Sequence, residues 1–220
     1  MPTITAAAAG ATGLVGSRVL KRLLDDPAVE RVIAPTRRPL PLHPKLVNPI
    51  LPGLSAPSWP EMPPLDEAYC CLGTTRAKAG SDAAYLAVDR DLTAAFARAA
   101  KAAGARRFGL VSSVGADSRS RFLYLRTKGQ TEALVSGLGF ESAVIARPSF
   151  LLGARAEFRP AEKFWIPFFL LFESALAGPW RKYRAVDAGA VAAAMIGAAR
   201  GRVPGTLILE SDGLGGDFVE

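Results

Sequence analysis

Residues 3–24 read TITAAAAGATGLVGSRVLKRLL. An apolar run of strand length, Thr3 to Ala9, ends in Gly10-Ala11-Thr12-Gly13-Leu14-Val15-Gly16. A helical pattern from Leu14 to Leu24 follows, with Val15, Val19, Leu20, Leu23 and Leu24 on one face. Strand, glycine-rich turn and amphipathic helix in that order open a βαβ unit. Glycines let the backbone approach a pyrophosphate, and a helix N-terminus offers unpaired N–H groups and the positive end of a dipole. The spacing is G-x-x-G-x-x-G, and its place between strand and helix points to dinucleotide binding through Gly10, Gly13 and Gly16.

About twenty residues further on, a site for NAD carries an acid that accepts from the ribose 2′-hydroxyl. Here the chain reads Thr36-Arg37-Arg38. Two guanidinium groups do the reverse of an acid, because each can fork onto phosphate oxygens and one can stack on adenine. The turn is therefore expected to take NADP(H) in preference to NAD(H).

Beyond this point strand-length runs alternate with helical patterns. Asp25-Asp26-Pro27 stops the first helix, and Arg31 to Thr36 reads as the second strand. The stretch from Pro39 to Pro64 is too rich in proline for a helix, with room for an edge strand at Leu46 to Leu51 around Pro49. Ala68 to Leu72 reads as a buried strand ending at Gly73, and Asp82 to Ala103 as one long helix closed by Gly104. Arg107 to Ser112 and Ser142 to Ala146 are further strands, with a helix from Phe122 to Ser136 between them. A last helix, Asp187 to Ala199 with Asp187 as its N-cap, and a strand, Thr206 to Glu210, complete the series. The alternation predicts an α/β fold with a doubly wound, mostly parallel sheet in a single domain over 1–220. Residues 149–185 break the pattern with aromatics, Arg and Pro, and are expected to form a small C-terminal region covering the substrate.

Composition removes several classes of function. The chain has 220 residues, half of them apolar and 21% charged, which is not the make-up of a disordered or fibrous protein. Its two cysteines, Cys70 and Cys71, are adjacent and read as small apolar residues of a buried strand, not as a disulfide framework. A single histidine, His43, leaves no His-rich metal site and argues against a Ser-His-Asp triad. The net charge of +7 suits an anionic partner, but the arginines are scattered, so a nucleic-acid surface is not expected. Arg76-Ala77-Lys78 reads as a solvated loop or a clamp on an acidic substrate. The longest apolar run, Phe164 to Phe172, is interrupted by Pro167 and is far short of the ~20 residues of a membrane span. Together with Phe158 it is expected to pack in the core or at an interface, with a substrate pocket or a membrane-facing patch as alternatives. With no targeting segment legible at the start, the expected location is the cytoplasm, with oligomerisation left open.

Tyr124-Leu125-Arg126-Thr127-Lys128 sets a phenol and an ammonium one helical turn apart on one face. An ammonium, and the positive ring of an oxidised nicotinamide, favour the phenolate and make a tyrosine usable as acid or base toward a carbonyl/alcohol pair. Ser112-Ser113 ends the preceding strand, where a hydroxyl can donate to the substrate oxygen; Ser113 is the first choice and Ser112 the second.

These residues carry a resemblance. The glycine turn, Ser113, Tyr124 and Lys128 resemble the short-chain dehydrogenase/reductase superfamily of atypical kind. The stretches Cys70 to Gly80, Val88-Asp89-Arg90-Asp91, Ser112 to Asp117 and Phe122 to Gly129 are similar to the Tat-interacting-protein-like oxidoreductases, over about residues 4–153. The resemblance implies a Rossmann fold and an NADP(H) site at Thr12, Gly13, Leu14, Val15, Arg37, Arg38, Leu72, Gly73, Tyr124 and Lys128. Thr74 adjoins that set, and Arg147-Pro148-Ser149 resembles the strand end that passes the nicotinamide. It also implies hydride transfer between nicotinamide and a carbonyl or alcohol of small size, with Tyr124 as proton donor/acceptor and Lys128 gripping the ribose. Where extended members have an asparagine on the central helix this chain has Asp89, a carboxylate expected to pair with a cation. The alternative is a non-catalytic NADP(H)-sensing regulatory or binding protein.

Overall fold

The computed structural model describes residues 3–51, 59, 61–152, 185–201 and 203–215. Six parallel pairings build one sheet from β1 (Ile4–Ala9), β2 (Val29–Ile33), β3 (Leu46–Val47), β4 (Glu67–Cys70), β5 (Arg107–Val111), β6 (Ser142–Arg147) and β9 (Gly205–Glu210). Their order is β3-β2-β1-β4-β5-β6-β9, the Rossmann order with one strand added beside β6. The chain leaves β1 in one direction along the sheet and returns to β4 on the other side. A crevice therefore opens at the carboxyl ends of β1 and β4.

Strand residues are apolar on both sides because helices cover both faces. In β1, Ala6 and Ala8 face the layer of α1 (Leu14–Asp25) and α6 (Ala188–Arg200). Ala7 and Ala9 face the layer of α4 (Thr93–Ala102) and α5 (Leu123–Gly137). That second layer is bound by aromatics, with Phe108 stacked on Phe140 at 4.7 Å and Phe96 edge-on to Trp59 at 4.8 Å between centroids. At Gly109 a Cβ would lie 2.6 Å from the Tyr69 ring and 2.8 Å from Met195, so glycine makes room for two large neighbours.

Several boundaries differ from the sequence reading. The second strand stops at Ile33, and β3 is only Leu46–Val47, because Pro35 and Pro49 have no N–H to give. Pairing nevertheless continues past them: Ala34 N–H donates to Val47 O, Thr36 N–H to Pro49 O and Leu51 N–H to Thr36 O. The long helix is interrupted. It runs as α3 (Asp82–Leu86), a π-helical segment at 87–92 and then α4, preceded by the short α2 (Arg76–Ala79). Gly104 does close it in the left-handed conformation, with φ +92°, and Asp187 caps α6 by accepting from the N–H groups of Gly189 and Ala190. Most of 149–185, including Phe158 and the Phe164–Phe172 run, lies outside the described residues. Its two ends, β7 (Leu151–Leu152) and β8 (Val186–Asp187), pair with each other in parallel.

At the amino end of the sheet, Glu67 is wholly buried. Arg200 holds it with two hydrogen bonds, of 2.7 and 3.0 Å, and Arg107 lies 3.3 Å away. The same Arg200 donates to Asp26. Burial works against the Asp26 carboxylate, but the bonds from Arg200 and the Ala28 N–H outweigh it and lower its pKa. A carboxyl whose folded pKa is depressed contributes stability above its unfolded value of about 4, and loses it as the pH falls further. Thermal melting between pH 6 and pH 2.5 should therefore fall less steeply for Asp26→Asn than for the parent. Parallel curves would refute the coupling.

Candidate active site

All the strands run the same way, so Gly10, Thr36, Cys71, Ser112 and Pro148 follow their carboxyl ends on one edge of the sheet. The glycine turn is built backbone against backbone. Gly10 has φ +78°, and a Cβ on it would lie 2.5 Å from the Cys71 carbonyl oxygen; one on Gly16 would lie 2.0 Å from Gly10 O. Gly13 donates to Gly10 O at 2.9 Å and starts α1 with no capping side chain and no acid in the first turn. That end of α1 is thus uncapped, in a cradle that side chains would fill. Thr12 and Gly13 are exposed and Leu14 half-buried. Val15 and Gly16 are buried, with the Val15 side chain in the α1/α6 core, so they shape the turn from beneath.

Arg37 and Arg38 are exposed beyond β2, and neither has an ion-pair partner among the described residues. Their turn is shaped by two side chains. Thr36 Oγ1 donates to Arg38 O at 2.6 Å, and Asn48 Nδ2 donates to Ala34 O at 2.6 Å and Thr36 Oγ1 at 2.8 Å. Asn48 is not among the residues expected from sequence. An asparagine between prolines reads as a turn former, and only the Thr36 pairing reveals its role.

On the other side of the crevice Leu72, Gly73 and Thr74 follow β4. The Thr74 N–H donates to Asp89 Oδ2 at 2.7 Å, and Asp89 Oδ1 lies 2.9 Å from Lys128 Nζ. The expected pairing of Asp89 with a cation is thus present, between groups 1% and 9% exposed. Burial disfavours the Lys128 charge, but the Asp89 carboxylate beside it, with a smaller part from Tyr124, holds its pKa above the usual lysine value. Tyr124 lies one turn earlier on α5 and is 45% exposed. Tyr85 on α3 is buried nearby, and burial, with the Asp89 and Tyr124 charges, pushes its phenol up. The cysteines are not nucleophiles: burial raises Cys70 to about 11 and Cys71 further still.

The two serines separate. Ser113 is buried at the rim, and its hydroxyl makes only a 3.3 Å bond to Val114 O, which a substrate oxygen can replace. Ser112, the second choice for polarising the substrate, donates to Glu132. The Arg147 guanidinium reaches Glu132 at 2.6 and 2.9 Å and Glu210 at 2.9 Å, so it clamps α5, β6 and β9. Pro148 is buried with its carbonyl accepting from Val114 N–H, and the Ser149 N–H donates to Ser211 Oγ. The strand end is therefore anchored on both sides. Glu132 escapes a reading of the sequence because its partners lie 15 and 20 residues away on other elements.

The fold and this arrangement define a Rossmann-type α/β protein. The chain is 35% identical over 206 residues to the protein Fmp52, mitochondrial, of Emericella nidulans, covering 89% of this chain and 88% of that one. It is 38% identical over 192 residues to HTATIP2 of Rattus norvegicus, covering 85% and 77%. It belongs to the Fmp52/HTATIP2 family. Among solved structures, MoeE5 in complex with UDP-glucose and NAD is similar with a TM-score of 0.66 at 16% identity, over 93% of this chain and 75% of that one. The human epimerase family protein SDR39U1 with NADPH gives 0.60 at 19%, over 93% and 73%. No family model matches the chain. The expectation of a cytoplasmic protein is overturned by the mitochondrial designation of the Fmp52 relatives. The apolar opening of the chain is β1, buried in the sheet, and carries no information about compartment.

Removing one member of a buried ion pair leaves its partner uncompensated, at a cost of about 3 kcal/mol. Glu132→Ala, which leaves Arg147 with Glu210 alone and the Ser112 hydroxyl without its acceptor, is expected to lower the stability by up to that order in denaturant melts. A change under about 0.5 kcal/mol, the range of ordinary surface substitutions, would contradict the clamp.

Proposed function

We propose that the chain is an NADP(H)-dependent oxidoreductase acting on a small carbonyl/alcohol pair. The observation that carries this reading is an exposed phenol, Tyr124, one helical turn from a buried, charged Lys128, beside an uncapped glycine-turn helix. A protein that only senses the dinucleotide has no need of that phenol. The uncapped N-terminus of α1 and the turn Thr12-Gly13 would hold the pyrophosphate, and Arg37 and Arg38 the 2′-phosphate. Bound there, the nicotinamide dinucleotide supplies or accepts the hydride. Tyr124 gives the proton to the substrate oxygen in reduction and takes it in oxidation. Ser113 donates to the same oxygen and fixes its place, while the Lys128 ammonium, one turn along α5, would grip the ribose hydroxyls. Residues 149–185, leaving and returning at β7 and β8, would cover the substrate.

Two measurements test this. Charge-assisted bonds from Arg37 and Arg38 to a 2′-phosphate should make NADPH bind roughly 10- to 100-fold tighter than NADH by calorimetry, with the margin lost in the Arg37→Ala/Arg38→Ala variant. Equal affinities in the parent would refute the preference. Tyr124→Phe should leave NADPH affinity within about twofold and reduce carbonyl-dependent NADPH oxidation by roughly 100-fold or more. Undiminished turnover, or no turnover by the parent across a broad aldehyde and ketone panel, would favour the sensing protein.

A further inference from the structure

Asp89 touches two parts of the crevice at once. One carboxylate oxygen is 2.9 Å from the Lys128 ammonium and the other accepts the Thr74 N–H at 2.7 Å. Gly73 passes so close that a Cβ on it would lie 3.6 Å from Asp89 Oδ1 and 3.8 Å from Lys128 Nζ. The carboxylate reaches this place from the π-helical segment 87–92, which Thr131 ties to α5 by donating to the Asp89 carbonyl at 3.2 Å. The charged and titratable groups facing the pair are Tyr124 on α5, Cys70 on β4, Cys71 just beyond it and Tyr85 on α3. No other cation or carboxylate approaches it among the described residues.

A lone ammonium in this position would repel the positive ring of an oxidised nicotinamide and, being buried, would tend to shed its proton. We propose that Asp89 is a positioning residue: it fixes the Lys128 ammonium against the Gly73–Thr74 turn and balances its charge, so that the crevice receives oxidised and reduced dinucleotide alike. This rests on the dinucleotide reading given above.

The test uses the full chain carrying Asp89→Asn, Lys128→Met or both. Without ligand, Asp89→Asn leaves a buried ammonium whose folded pKa falls below its unfolded one, so folding is helped as the pH rises. Its melting deficit against the parent should shrink from pH 7 to pH 10, and this pH dependence should vanish when Lys128→Met is added. A deficit equal at both pH values, or one unaltered by Lys128→Met, overturns the proposal, since a merely structural hydrogen bond would behave that way. Should Asp89→Asn fail to fold, Lys128→Met gives the mirror result: the stranded carboxyl is pushed up and the deficit shrinks from pH 7 to pH 5, whereas a flat deficit overturns the proposal. With dinucleotide, calorimetry should show the ratio of dissociation constants for NADP+ over NADPH rising about 10-fold in Asp89→Asn. An unchanged ratio also overturns it. If the parent binds neither dinucleotide, the oxidoreductase reading fails, and the melting series still decides whether Asp89 governs Lys128.

Discussion

A carboxylate and an ammonium buried at the carboxyl end of β4 join three elements that are far apart in the chain: the turn at 73–74, the π-helical segment and α5. Buried charge is costly unless paired and hydrogen-bonded, and here both conditions are met. The pair therefore constrains where α5 lies, and with it the exposed Tyr124. A π-helical turn inside an α-helix is an unusual local choice that recurs at functional sites. In this chain it is the turn that delivers Asp89 inward.

The opposite wall of the crevice depends on absent side chains. Gly10 and Gly16 let the end of β1, the start of α1 and the strand end after β4 meet through their backbones. The same closeness leaves the N-terminus of α1 uncapped and facing the switch point of the sheet. A second ion pair, buried Glu132 with half-buried Arg147, locks α5 to β6. The three ion clusters thus support different parts of the molecule. Glu67 holds the amino end of the sheet, Glu132 the frame of the site, and Asp89 its floor.

Much of this is legible from residue patterns because it is local. The run from Thr3 to Leu24 shows a strand, a tight turn and an amphipathic helix within 22 residues, and Gly104 and Asp187 mark helix ends by their own backbone chemistry. What escapes is non-local. Glu67 reads as a polar residue before a strand, yet it is buried by an arginine 133 positions later. Arg147 shows no sign in the sequence of Glu132 and Glu210 placed around it. Periodicity predicts one helix from Asp82 to Ala103, since a single wide turn leaves no mark in the hydrophobic pattern. Pro35 and Pro49 are visible, but the way pairing continues past them depends on Asn48 and Thr36 meeting across strands.

The proposed function requires the crevice between β1 and β4 to present one phosphate-binding edge and one proton-handling edge to the same ligand. The most direct measurement is a crystal structure of the full chain grown with NADPH. The expected result is a 2′-phosphate within hydrogen-bond distance of Arg37 or Arg38 and a Tyr124 hydroxyl facing the nicotinamide across open space large enough for a carbonyl group. A dinucleotide bound with its adenosine phosphate turned to solvent, or a nicotinamide lying away from Tyr124, would contradict it.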